Sequence, residues 1–143
     1  MVTIEAPRLF NRMRSRRAEE VEGDLFDPNC PTRLVLDRIG DKWTVLVVLL
    51  LSDGPMRFSE LRAQLGAVAP KVLTQTLRRI ERDGLVTREV FAEVPPRVEY
   101  TLTELGGSLT RPIAVIADWA ETHLAEISAA QQAYDAQVAG VGG

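Results

Sequence analysis

Lys71, Gln75, Arg78 and Arg82 recur at a spacing that sets them side by side on a helix. At about 100° per residue they fall within roughly 40° of Lys71, with Thr74 some 60° to one side. Leu73, Leu77 and Ile80 fall on the opposite side. The chemistry open to such a face is recognition, not bond breaking. Gln pairs bidentately with adenine, Arg with O6 and N7 of guanine, and both also contact phosphates. An ordinary amphipathic surface helix has the same pattern, so periodicity alone leaves both readings open.

Other reactive groups are few. The single cysteine, Cys30, precedes Pro31 and the first expected helix. A thiol at a helix N-terminus has a lowered pKa, and the thiolate is the form that oxidises. Asp24 and Asp27 oppose that, and a small buried residue packing the helix entry is the other reading. One cysteine cannot form an internal disulfide or serve as a thiol oxidoreductase with a resolving partner. The single histidine, His123, has no nucleophile or metal-ligand set around it in the sequence. There is no Gly-rich phosphate loop. No enzyme activity, metal or cofactor is therefore expected.

The elements that must position these residues are legible as a series. Thr32 opens a first helix with Leu34, Val35, Leu36 and Ile39, ended by Gly40. Asp41 caps a second, Lys42 to about Ser52, with Trp43, Leu46, Val47, Leu50 and Leu51 expected inside. Asp53-Gly54-Pro55 stops it, and Met56-Arg57-Phe58 reads as a short strand. Ser59 is expected to cap a third helix with Phe58, Leu61 and Leu65 inward. A turn at Gly66-Ala67-Val68 leads to a fourth helix, about Ala69 to Asp83, with Pro70 in its first turn. Val86–Phe91 and Val98–Leu102 alternate as hairpin strands, with residues 93–97 at the tip. Thr103 caps a long last helix, which Pro112 should kink or split and which should fray after Ser128. Helix, short turn, helix and hairpin in this order form a winged helix-turn-helix, mainly α with a small β-hairpin.

The chain has 143 residues, enough for a modest core, and no apolar stretch long enough to span a bilayer. No signal peptide is expected, and a cytoplasmic location is. The net charge of −3 is segregated: residues 1–17 carry +4 and 57–97 carry +3, whereas 18–56 and 98–143 each carry −5. An acidic protein can therefore present a basic face to a polyanion. Residues 1–24 read as an Arg-rich arm, 25–128 as the winged domain with its flanking helices, and 129–143 as a frayed tail.

Several segments resemble the HxlR-type branch of the MarR-like winged-helix regulators. They are Asp41-Lys42-Trp43-Thr44, residues 57–61, 71–78 and 81–88, and Pro95-Pro96-Arg97-Val98-Glu99-Tyr100-Thr101-Leu102-Thr103. The match runs in order from about Cys30 to Ile127. It implies a homodimeric bacterial transcriptional regulator on a pseudo-palindromic operator, with terminal helices building the dimer and the fourth helix reading the major groove. It also makes Cys30 a candidate redox or electrophile sensor. Two features depart from the family pattern: the Arg-rich extension is long, and Ala69-Pro70 lacks the serine common at the start of the reading helix.

The candidate DNA contacts are thus Arg57 and Ser59, then Lys71, Thr74, Gln75, Arg78, Arg79 and Arg82, then Arg88 and Arg97 on the wing. Arg97 is open to a second reading as a salt-bridge partner of a carboxylate such as Glu99. The candidate dimer face is Leu109, Ile113, Ile116, Trp119, Ala120, His123, Leu124 and Ile127, an apolar stripe long for a small core to cover. Alternatives are a regulator answering a small molecule in a dimer-interface pocket, with no role for the cysteine, or a winged helix used for protein contacts.

Overall fold

The computed structural model describes residues 31–141, and the chain divides into two units, Met1–Val45 and Leu46–Gly143. The Arg-rich arm and Cys30 lie outside the described residues. In the first unit, α1 (Pro31–Gly40) has no buried residue, and Leu34, Val35 and Leu36 are exposed. The helix α2 (Lys42–Leu51) starts in the first unit and ends in the second. Its cap is the expected one: the Trp43 N–H donates to Asp41 Oδ1 at 2.9 Å.

The buried stripe of α2 is Thr44, Val47, Val48 and Leu51, which corrects the expected set. Leu46 is exposed, and Trp43 and Leu50 are half-buried. The stripe still follows steps of three and four. Residues 45–51 are apolar all round, so the sequence pattern could not select the inward side.

In the second unit, β1 (Met56–Arg57) runs directly into α3 (Phe58–Leu65). Ser59 is not the cap, because the helix begins one residue before it. Arg57 occupies the cap position in extended conformation, and its N–H donates to Glu60 Oε1 at 3.1 Å. The carboxylate three residues on thus holds the N–H of the cap residue, the reciprocal half of a capping box, and not the helix N–H that a serine hydroxyl was expected to hold. Gly66 closes α3 at φ 61°, and α4 (Pro70–Arg82) follows with Pro70 at its first position. Leu73, Thr76, Leu77 and Ile80 of α4 are buried.

The exit of α4 is a Schellman motif. Leu85 N–H donates to Ile80 O at 2.9 Å and Gly84 N–H to Glu81 O at 3.0 Å, with Gly84 at φ 77°. The strands β2 (Val86–Phe91) and β3 (Arg97–Leu102) then form the hairpin. Together with β1 they make an antiparallel sheet of order β1-β3-β2. Arg88 lies opposite Tyr100, Val86 opposite Leu102 and Val90 opposite Val98. Val86 and Tyr100 are buried, so this face turns inward to the core of Leu61, Leu73, Leu77 and Ile80.

The last helix, α5, spans Glu104–Val141. The Thr103 hydroxyl accepts the Gly106 N–H at 3.0 Å, the expected cap. The helix is not split at Pro112 and does not end at Ser128. One missing N–H costs about 3 kcal/mol, a small part of so long a ladder. The segment after Ser128, AAQQAYDAQVA, is rich in alanine and glutamine, strong helix formers. Gly106 is buried where α5 crosses the α4 exit: a Cβ there would stand 2.0 Å from Leu85 O. No helix among the described residues is long and apolar enough to cross a membrane.

Candidate nucleic-acid interface

The Leu/Ile stripe of α4 is spent on the core, which leaves its opposite side in water. Lys71, Gln75, Arg78 and Arg82 are all exposed there, as the wheel required, and Arg79 is exposed beside them. Thr74 is half-buried, and its hydroxyl donates to Pro70 O at 2.8 Å. That hydrogen is occupied within the helix, so what Thr74 offers outward is its oxygen lone pairs and its methyl group.

A groove of about 620 Å³ separates this helix from the wing. One wall is the entry of α3, with Arg57, Phe58 and Ser59. A second is α4, with Thr74, Arg78 and Glu81. The third is the wing, with Arg88, Val98 and Tyr100 on the strands and Glu93 to Arg97 at the tip. Six candidate contacts from three separate segments are thereby brought to one place: Arg57, Ser59, Thr74, Arg78, Arg88 and Arg97. Lys71, Gln75, Arg79 and Arg82 are not part of this groove and lie on the exposed surface of α4.

Three of the four groove arginines stand beside carboxylates. Arg88 Nε stands 3.5 Å from Glu81 Oε1, which ties the wing to α4. Arg97 Nη2 stands 3.4 Å from Glu93 Oε1, and its guanidinium sits 4.0 Å over the Phe91 ring. The salt-bridge reading of Arg97 is therefore met by Glu93, not Glu99, because residues 93 and 97 face each other across the tip. Arg97 Nε is buried without a hydrogen-bond partner. Arg57 lies 3.8 Å from Glu60. Since Glu60 already accepts the Arg57 N–H, that amide is not open to a phosphate.

Sequence reasoning missed Tyr100, Glu81 and Glu93. Tyr100 is 7% exposed and lines the groove. Burial pushes its phenol pKa up from 10.0; Arg88 and Arg78 pull it down, and Glu81 pushes it up. The signal for Tyr100 was the hairpin alternation, which puts it on the same face as Val98 and Leu102 and across from Arg88. The two glutamates carried no such signal, because their pairing depends on the turn after α4 and on the wing tip.

On α5, Ile116, Trp119, Leu124 and Ile127 of the proposed dimer stripe are exposed, as is Ala120. Leu109 is half-buried. Ile113 is a correction: at 1% exposure it belongs to the chain's own core, since it sits beside Pro112 in the part of α5 that packs on the winged unit. His123 Nδ1 lies 2.9 Å from Trp119 O, and the two rings stack at 4.6 Å. No group of metal-ligating side chains occurs among the described residues.

Residues 38–128 match the HxlR-like helix-turn-helix family. The HTH-type transcriptional regulator YtfH of Escherichia coli K12 is 44% identical over 108 residues, 76% of this chain and 86% of that protein. A solved structure of the putative transcriptional regulator ytfH from Salmonella typhimurium superposes with a TM-score of 0.73 at 42% identity, covering 78% of this chain and 99% of that one. The redox regulator HypR in its reduced form superposes with a TM-score of 0.63 at 37% identity, covering 69% and 98%.

Proposed function

The chain belongs to the HxlR-like helix-turn-helix family and is a transcriptional regulator, and from that premise we propose that it binds a pseudo-palindromic DNA operator as a homodimer and is not an enzyme. The observation that carries this reading is the exposed basic and amide face of α4, set against a groove that gathers four arginines from three segments. In this reading α4 enters the major groove, where Gln75, Arg78 and Lys71 meet base edges and phosphates. The wing follows the backbone with Arg88 and Arg97. A twofold dimer sets its two reading helices about 34 Å apart, one DNA turn.

The test is binding to a duplex enriched by the wild-type protein from a random pool. Conversion of Lys71, Gln75 and Arg78 together to Ala is expected to abolish preference for that duplex while leaving the circular dichroism spectrum and the oligomeric state unchanged. Wild-type affinity is expected to fall steeply with salt, since cations on phosphates release counterions. Salt-insensitive binding, or a triple variant that still selects the duplex, would sink the reading and favour a protein-contact role.

A second reading adds a switch. HypR, 37% identical, is a redox regulator, and Cys30 is the one thiol of this chain. An oxidant such as diamide takes two electrons and two protons from two thiols, so Cys30 of two protomers can join as a disulfide and alter operator affinity. A Cys30→Ser protein that still responds to diamide in a gel shift would leave no role for the thiol. It would turn attention to a small-molecule effector.

A further inference from the structure

The inner face of the wing changes character along its length. Next to the core it carries Val86 and Leu102, and one row outward it carries Arg88 opposite Tyr100. Tyr100 is nearly buried, yet its side chain lines the groove, and its hydroxyl has no hydrogen-bond partner among the described residues. The hydroxyl oxygen is not among the buried unpaired polar atoms, so with no partner in the protein it reaches the water of the groove and is open to one there. The groove that Tyr100 lines is wide enough to admit a partner. Arg97, at the wing tip, also lines the groove, with its Nε buried and without a partner. Around them stand four arginines against two glutamates, a net of +2. An unpartnered phenol hydroxyl in a positively charged groove suits an anion with acceptor oxygens.

We infer that Tyr100 is a DNA-contacting residue whose hydroxyl donates to one backbone phosphate seated in the groove between α4 and the wing, beside Arg88. This rests on the DNA-reading function proposed above and assigns a residue to it that charge and helical spacing do not reveal. The two arginines that flank the groove floor supply charge; Tyr100 supplies direction, since a phenol on a paired strand has a fixed position. Burial also keeps its pKa above 10.0, so it remains a donor at neutral pH. Glu81 and Glu93 limit the groove to a phosphate that can draw Arg88 and Arg97 partly away from them.

The experiment measures affinity by fluorescence anisotropy on the full chain, across salt, with the duplex enriched by the wild type. Tyr100→Phe removes only the hydroxyl, which has no internal partner, so its thermal midpoint should match the wild type. Its affinity should fall about tenfold, the loss of one hydrogen bond to a charged group. The slope of log affinity against log salt should stay parallel to wild type, because no charge is lost. Arg88→Gln should instead flatten that slope by about 1. As an independent readout, single methylphosphonate substitutions along the duplex should include one position per half-site that weakens the wild type and leaves Tyr100→Phe unaffected.

Unchanged affinity of Tyr100→Phe would overturn the inference while the DNA-reading function stands. So would a loss with a flattened slope, which would show that the whole wing had moved, or a methylphosphonate scan with no position where the two proteins differ. If the wild type enriches no duplex, the DNA-reading function itself fails and takes this inference with it.

Discussion

At the scale of single residues, the groove is a balance of arginines and the carboxylates that hold them. Arg88 and Arg97 were legible as wing cations from their type and from the hairpin pattern. Their partners Glu81 and Glu93 were not, because the pairing is made by a Schellman turn and a loop tip. Both pairs are partly exposed, so each contributes little to stability, about 0–1 kcal/mol. Their effect on an incoming phosphate is larger in kind, since each carboxylate competes with it for the same guanidinium. Glu93→Gln is expected to tighten DNA binding several-fold at low salt, with an advantage that fades as salt rises. An unchanged binding isotherm at low salt would show that Arg97 is not used. Tyr100 gives a pH test of the same floor. Its folded pKa lies above the ordinary 10.0 because burial disfavours the phenolate. Its contribution to stability is therefore complete below about pH 10 and is lost as pH rises from there through the folded value. Urea midpoints should fall more steeply above pH 10 for the wild type than for Tyr100→Phe, and parallel curves would contradict the burial of the phenol.

The elements themselves were read correctly where the sequence carried an asymmetric pattern. In α4, polar and apolar residues alternate at helical spacing, and Leu73, Leu77 and Ile80 are all inside. In α2 nearly every residue after Thr44 is apolar, and the inward side was misplaced toward Leu46. The length of α5 was underestimated for a related reason: Ala and Gln mark no face, yet they favour the helix. Gly84 was legible as the α4 stop, and its φ of 77° confirms why glycine stands there. Gly106 was not legible, because its need is tertiary. It lets α5 press against Leu85, whose carbonyl also accepts the Thr103 N–H at 3.0 Å. A methyl group 2.0 Å from that carbonyl cannot be absorbed by a side-chain rotation, since the atom it meets is backbone. Gly106→Ala is accordingly expected to destabilise the protein by about 1–3 kcal/mol, the range for overpacking a tight contact. Equilibrium urea unfolding checks this, with Gly107→Ala as the control, because a Cβ at 107 meets nothing within 4 Å. Equal midpoints for the two variants would mean that α5 does not need this close approach.

For the whole molecule, the question is what a single chain leaves uncovered. Trp119 at 56% exposure and Leu124 at 62% stand in water on α5, with Ile116 and Ile127 on the same helix. Each large apolar side chain left in water forgoes roughly 1.5–3 kcal/mol of burial. Soluble chains seldom leave such a stripe open unless something packs on it. Ile113, one turn before the stripe, is already spent on the chain's own core, so the surface open to a second copy begins after it. In the proposed reading, the −5 carried by residues 98–143 disfavours DNA along the last helix and favours the basic groove. In the proposed dimer a second copy packs on this stripe, and the exposed α4 face is left to DNA. That assigns two functions to two ends of the same unit. Trp119→Glu together with Leu124→Glu places charges in the proposed seam while leaving the groove residues untouched. The variant is expected to sediment as a monomer at micromolar concentration with its helical spectrum preserved. Its affinity for a palindromic duplex should fall by at least about 100-fold, because the second half-site no longer binds intramolecularly. Its affinity for a single half-site should stay within a few-fold of wild type. A double variant that remains dimeric would place the seam elsewhere, and one that is monomeric yet holds the palindrome as tightly as wild type would show that DNA binding does not depend on the dimer.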